Sequence, residues 1–172
     1  LEAFNFPNEL TEIGDYAFSS CKSLKEMQVP DSDNRIGKAF CNSCDSLITV
    51  TLPNKRCEID YSYPSDTLAM CDNLERVYNL SFIREDFNGF DFCDKLWYVS
   101  VVDGEEHFPK YFYQKLKNVR VLDLPSSIGR ITKEELFWAI DTLDEVIIRG
   151  KRREIYIDKE AFQQGVQIKY MG

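Results

Sequence analysis

The chain is built on an internal repeat. Leu10-Thr-Glu-Ile-Gly-Asp-Tyr-Ala-Phe-Ser-Ser-Cys-Lys-Ser-Leu-Lys-Glu-Met-Gln-Val-Pro30 is followed by Ile36-Gly-Lys-Ala-Phe-Cys-Asn-Ser-Cys-Asp-Ser-Leu-Ile-Thr-Val-Thr-Leu-Pro53. Both copies hold Ile-Gly, then Ala-Phe or Phe, a Cys three or four residues on, a Leu, two apolar residues and a Pro. Units of this length cannot bury an apolar face alone, so they must stack, and a stack presents a long exposed surface. That constrains the fold more than any single residue and favours a binding scaffold over an enzyme with one deep pocket.

Counting from the Cys fixes the register. The position is occupied by Cys21, Cys44, Cys71, Cys93, Leu116 and Ile140, with Gly165 in a degraded last copy, and the gaps are 23, 27, 22, 23, 24 and 25 residues. Three residues on stand Leu24, Leu47, Leu74, Leu96, Val119 and Leu143, then Met27, Val50, Val77, Val99, Leu122 and Val146, then Val29, Leu52, Asn79, Val101, Leu124 and Ile148. Around Met27-Gln28-Val29 and Val50-Thr51-Leu52, apolar and polar residues alternate with period two, which predicts short strands with one buried face. Stacked in parallel, such strands satisfy one another's backbone. Pro30, Pro53 and Pro125 end three of them, because proline cannot donate to the ladder. Leu1, Phe4, Phe6 and Pro7 match the end of a coil, so the chain reads as part of a longer array or as a domain cut at its edge.

The Ile-Gly segment is expected on the opposite side of each coil. Gly should permit the turn there, and Phe18, Phe40, Leu68, Phe90, Phe112, Leu136 and Phe162 should point inward as a second wall. Two such segments are predicted helical. Thr132 and Glu135 have capping-box spacing ahead of Leu136–Ile140, and Asp158 is a suitable N-cap with Gly165 as C-cap. The insertion holding Tyr61, Tyr63 and Pro64 breaks the regularity and should bulge out.

The motif Ile-Gly-x-x-Ala-Phe-x-x-Cys-x-x-Leu-x-x-Val-x-Leu-Pro resembles the BspA-like class of leucine-rich repeats, whose period range of roughly 20–29 residues contains every gap above. The first two full copies match nearly position by position; later ones keep only the apolar register. The resemblance implies an α/β leucine-rich-repeat solenoid, with a parallel β-sheet on the concave face and short helical or irregular segments on the convex side. Residues 1–172 would form a single domain of about seven coils, the first and last incomplete. It further implies a surface-displayed or secreted protein used in adhesion and protein binding, with no catalytic residues and no cofactor.

Other chemistry is sparse. The net charge of −8 argues against a nucleic-acid partner, and Lys151-Arg152-Arg153 reads as a solvated turn. No run of 18 apolar residues suggests a membrane-spanning helix. Cys21, Cys44, Cys71 and Cys93 share one inward position and are expected to be free, buried thiols forming a structural ladder. Cys41 and Cys57 fall outside the register and are the expected exposed or reactive pair. A zinc site of Cys41, Cys44, Cys57 and Cys71 conflicts with the core role of two of them. Asp31-Ser-Asp33-Asn34 lacks a full calcium ligand set. Asn79-Leu-Ser81 fits a glycosylation sequon at a strand end. A thiol nucleophile needs a base, and the single histidine, His107, lies in an acidic loop where Glu105 and Glu106 read as solvent charges.

The outward strand positions are the better functional candidates. One column reads Ala3, Glu26, Thr49, Arg76, Tyr98, Val121, Glu145; the next reads Asn5, Gln28, Thr51, Tyr78, Ser100, Asp123, Ile147. Arg76, Tyr78 and Tyr98 should cluster on neighbouring coils, with Thr49, Thr51 and Ser100 beside them. Tyr and Arg combine broad contact area with a polar tip and recur at binding hot spots. The expected ligand is a protein, such as a host surface or matrix protein, or a surface glycan. A spacer array displaying another domain is the structural alternative, and an enzyme using Cys41 or Cys57 with His107 the catalytic one.

Overall fold

A computed structural model describes residues 4–32, 35–60, 67–82, 89–109, 112–135 and 137–172. Tyr61, Tyr63, Pro64, Leu136, Asp33 and Asn34 lie outside the described residues. In chain order the strands are β1 (Glu12–Ile13), β2 (Glu26–Gln28), β3 (Arg35–Ile36), β4 (Thr49–Thr51), β5 (Glu58–Ile59), β6 (Arg76–Leu80), β7 (Tyr98–Val101), β8 (Val121–Pro125), β9 (Arg130–Ile131), β10 (Glu145–Arg149), β11 (Tyr156–Ile157) and β12 (Gln167–Tyr170). One strand from each coil joins a seven-stranded parallel sheet in the order β12-β10-β8-β7-β6-β4-β2. The chain is thus an α/β leucine-rich-repeat solenoid in which parallel sheet dominates, and among the described residues helix is limited to short 3-10 turns.

The register follows the repeat. Glu26 pairs with Thr49, Thr49 with Arg76, Arg76 with Tyr98, Tyr98 with Val121, and Val121 with Glu145. The intervening Met27, Val50, Val77, Val99, Leu122 and Val146 are buried, forming one continuous core. Each buried apolar side chain contributes roughly 1.5–3 kcal/mol, which explains why strands of three to five residues hold their register.

Asn79 departs from the expected pattern. It was to face inward, but β6 carries one extra residue between Val77 and Leu80, and Leu80 pairs with Val101 instead. Asn79 takes a left-handed φ of 62°. A buried Asn side chain would need several partners in an apolar column, whereas bulging it outward puts Leu80 into the core. Its side-chain amide donates to the Leu52 carbonyl at 3.1 Å, and Ser81 is buried, so the sequon is folded into the solenoid.

The convex side differs between the two halves. In the first, β1, β3 and β5 form a second small parallel sheet where irregular or helical segments were expected. Gly37 serves close approach: a Cβ there would lie 2.5 Å from the Asp15 backbone nitrogen. The turn itself falls to Tyr16 and Ala39, with φ of 57° and 49°. In the second half β9 and β11 pair in the same way as a two-stranded parallel sheet, and 3-10 turns are added at Phe112–Lys115, Ser126–Ile128, Lys133–Glu135, Phe137–Ala139 and Arg152–Glu154. Thr132 and Glu135 do bond, the Thr132 N–H donating to the carboxylate at 2.5 Å. Only a 3-10 turn follows. After Asp158 no helix forms: Asp158 accepts the Glu160 N–H at 3.2 Å and the chain turns. Three or four residues per corner leave no room for an α-helical nucleus.

Candidate functional site

The Cys positions form the spine of the first half. The Cys44 thiol donates to the Phe18 carbonyl (3.1 Å), Cys71 to Cys41 (3.3 Å) and Cys93 to Leu68 (2.9 Å), each one coil back. Cys44, Cys71 and Cys93 are buried; Cys21, on the outermost of these coils, is partly exposed. Each ladder Cys follows a residue in left-handed conformation: Ser20, Ser43, Met70 and Phe92, with φ between 55° and 61°. That conformation costs roughly 1–2 kcal/mol outside glycine. It turns the N–H along the solenoid axis, where Ser20 donates to Asn42, Ser43 to Ala69 and Met70 to Asp91 at 2.8–2.9 Å. A thiol fits this corner because it is small and can donate.

Cys41 and Cys57 are not the exposed pair expected; both are buried, and all six cysteines are free. Burial pushes the Cys41 thiol well above its usual value. Burial, reinforced by the Glu105 charge, pushes Cys57 up to about 12. A nucleophilic thiol needs the opposite shift. His107 is exposed and lines an open cleft with Glu106, Arg130, Glu134, Glu135 and Asp158, with no cysteine among its walls. No cluster of metal-ligating residues occurs among the described residues. Glu105, expected as a solvent charge, is 1% exposed. It accepts the Ser81 hydroxyl at 2.9 Å and the Phe82 N–H at 2.7 Å, and pairs with Arg56 at 3.4 Å, tying three coils together.

The concave sheet gathers the candidate recognition residues. Tyr78 and Tyr98 stand with ring centroids 5.0 Å apart, and Arg76 pairs along the backbone with Tyr98 on one side and Thr49 on the other. Thr51 lies beside Tyr78. Trp97 packs edge-on to Tyr98 at 5.8 Å and is 38% exposed, extending the aromatic surface. Ser100 does not share this surface. It is 3% exposed, and its hydroxyl accepts the Asn79 N–H at 3.0 Å. The bulge strips that amide of its ladder partner, and Ser100 supplies the replacement.

Two groups invisible to pattern reasoning complete the face. The Tyr98 hydroxyl donates to Asp123 at 2.8 Å, and Asp123 also receives Arg149, which reaches on to the Val101 carbonyl and to Asp103 (3.1 Å). Burial first, and then the bond and charge of Asp123, push the Tyr98 phenol above its ordinary pKa, so it remains a neutral donor. Further along, Arg120 pairs with Asp144 at 2.7 Å and Lys169 pairs with Glu145. Arg76 stands apart. It is half-buried, its Nε is sealed from solvent without a hydrogen-bond partner, and its guanidinium has no carboxylate among the described residues.

Comparison with known proteins bears on the repeat. The family model described as BspA type leucine rich repeat region matches residues 1–83 and 64–169, in six copies. No curated protein and no solved structure matched the chain.

Proposed function

Since the chain belongs to the BspA-type leucine-rich-repeat family, we propose that it is a non-catalytic recognition module, one array over residues 1–172, that binds a protein partner across its concave sheet. The family is associated with surface and secreted proteins, and this reading places the chain at the cell surface or outside the cell, in an adhesive role. A host surface or matrix protein is the partner class, and a surface glycan the alternative ligand on the same face. Leucine-rich repeats are generally binding rather than catalytic units. The buried, raised-pKa thiols and the cysteine-free surroundings of His107 weigh in the same direction. Among the described residues no helix is long and apolar enough to cross a membrane.

The observation that carries the reading is the juxtaposition of Arg76, Tyr78, Tyr98 and Trp97 on adjacent strands, flanked by Thr49 and Thr51. Rigid rings give contact area at low entropic cost, and an unpaired guanidinium gives direction. The test is capture of a partner from a cell-surface and matrix protein preparation on immobilised chain, followed by surface plasmon resonance. R76A/Y98A should weaken the captured partner at least tenfold; unchanged affinity removes this face from consideration. A spacer role has one observation in its favour: the ion pairs that occupy the second half of the concave face. It predicts that no captured partner responds to either substitution.

A further inference from the structure

We propose that Arg76 is the anchor for a carboxylate: the partner seats an Asp or Glu side chain of an extended, acidic segment on its guanidinium. This rests on the concave-face reading and names the chemistry of the ligand. The argument begins with the contrast among concave cations. Arg120, Arg149 and Lys169 each hold a carboxylate of the chain itself. Arg76 holds none, and none of its guanidinium nitrogens makes a hydrogen bond among the described residues, although its Nε is shut off from water. A sheltered donor without an acceptor costs roughly 1–3 kcal/mol, more when charged. A sequence that tolerates this cost keeps the group ready for an acceptor from outside.

The surroundings favour a carboxylate in an extended segment. Arg76 is half-buried while its terminal nitrogens are unpaired, so they are available to grip a planar acceptor in fork geometry. Thr49 and Thr51 occupy the neighbouring strand, and among the described residues neither hydroxyl has a hydrogen-bond partner. Thr49 stands one strand step from Arg76, about 4.8 Å, and Thr51 lies diagonally, opposite Tyr78; they can donate to the same acid or to the backbone beside it. On the other flank Tyr78, Tyr98 and Trp97 present ring surface to the flanking residues. The nearest carboxylate in the Arg76 column, Glu26, is two strands away, so that column offers Arg76 no adjacent acid.

The experiment uses a displayed library of random twelve-residue peptides, panned on the whole folded chain with counter-selection on R76Q. R76Q keeps a polar side chain while removing the charge and the guanidinium fork, and its thermal melt checks folding. Expected is enrichment of peptides holding Asp or Glu that lose at least tenfold in affinity on R76Q, lose as much when that acid becomes its amide, and shift the Arg76 Nε–H resonance of wild type. Enriched peptides without an acid, peptides binding R76Q equally well, or no enrichment over R76Q would overturn the anchor. Acid-free peptides that still lose affinity on Y78A would overturn only the anchor and leave the concave-face reading standing; peptides indifferent to both variants would remove both.

Discussion

The two halves of the solenoid solve one problem with different corners. From Cys21 to Cys93, each coil turns through a non-glycine left-handed residue, followed by a thiol that donates one coil back. From Leu116 onward the ladder positions hold Leu116 and Ile140, the corners are 3-10 turns, and among the described residues only glycines take positive φ. There the wall is aromatic: Phe137 stacks on Phe162 at 5.7 Å and meets Phe108 edge-on at 4.9 Å. A small donor at the corner accompanies an axial amide turn; a bulky apolar residue accompanies a local 3-10 turn. The concave faces diverge in parallel. The second half pairs its charges internally, while the first leaves Arg76 open.

That contrast can be broken at its strongest contacts. Phe137→Ala should cost about 3–5 kcal/mol in urea unfolding, through cavity formation and lost ring pairs. Phe40→Ala, with no ring partner described, should fall at the lower end of the same range. Equal losses would mean that the aromatic stack adds nothing beyond volume. Alkali should act on the first half. An unfolded thiol ionises near 9.0, whereas folded Cys57 is raised to about 12, as is Cys71. For Cys71 the bond with Cys44 lowers the value, but the bond with Cys93 and burial outweigh it. The folded state therefore keeps protons that the unfolded state has lost. Stability is fully present below pH 9 and falls as pH rises toward 12, by roughly 1.4 kcal/mol per pH unit for each such thiol. Cys57→Ala should flatten the slope by about one proton.

Smaller effects separate the two guanidinium groups. Arg149→Ala leaves Asp123 with the Tyr98 hydroxyl alone, strips the Val101 carbonyl of the guanidinium and should cost about 1–2 kcal/mol. Arg76→Gln should leave stability unchanged or raise it, because no side-chain hydrogen bond is lost and a sheltered unpaired donor is removed. A large cost for Arg76→Gln would reveal a structural role and weaken its assignment to recognition.

The inward strand positions were legible because alternation and a fixed period both point to them. The thiol ladder was legible for the same reason. The bulge at Asn79 was not, since one extra residue leaves the pattern intact up to Val77 and only pairing with Val101 reveals it. Ser100 was misplaced by that same residue. Cys41, Cys57 and Glu105 looked exposed because they fall between the periodic positions, yet neighbouring coils cover them. Arg149 reaches Asp103 across 46 residues of sequence, a contact that no local pattern encodes. The two-residue strands β1, β3 and β5 are too short for alternation to register.

The central claim is that one concave guanidinium is held in reserve while its counterparts are internally paired. Arginine side-chain nitrogen spectra of the free chain test it directly. The account predicts slow, individually resolved terminal protons for Arg149 and an unbonded Nε–H with freely rotating terminal groups for Arg76. A hydrogen-bonded Nε–H and a locked guanidinium at Arg76 would contradict it.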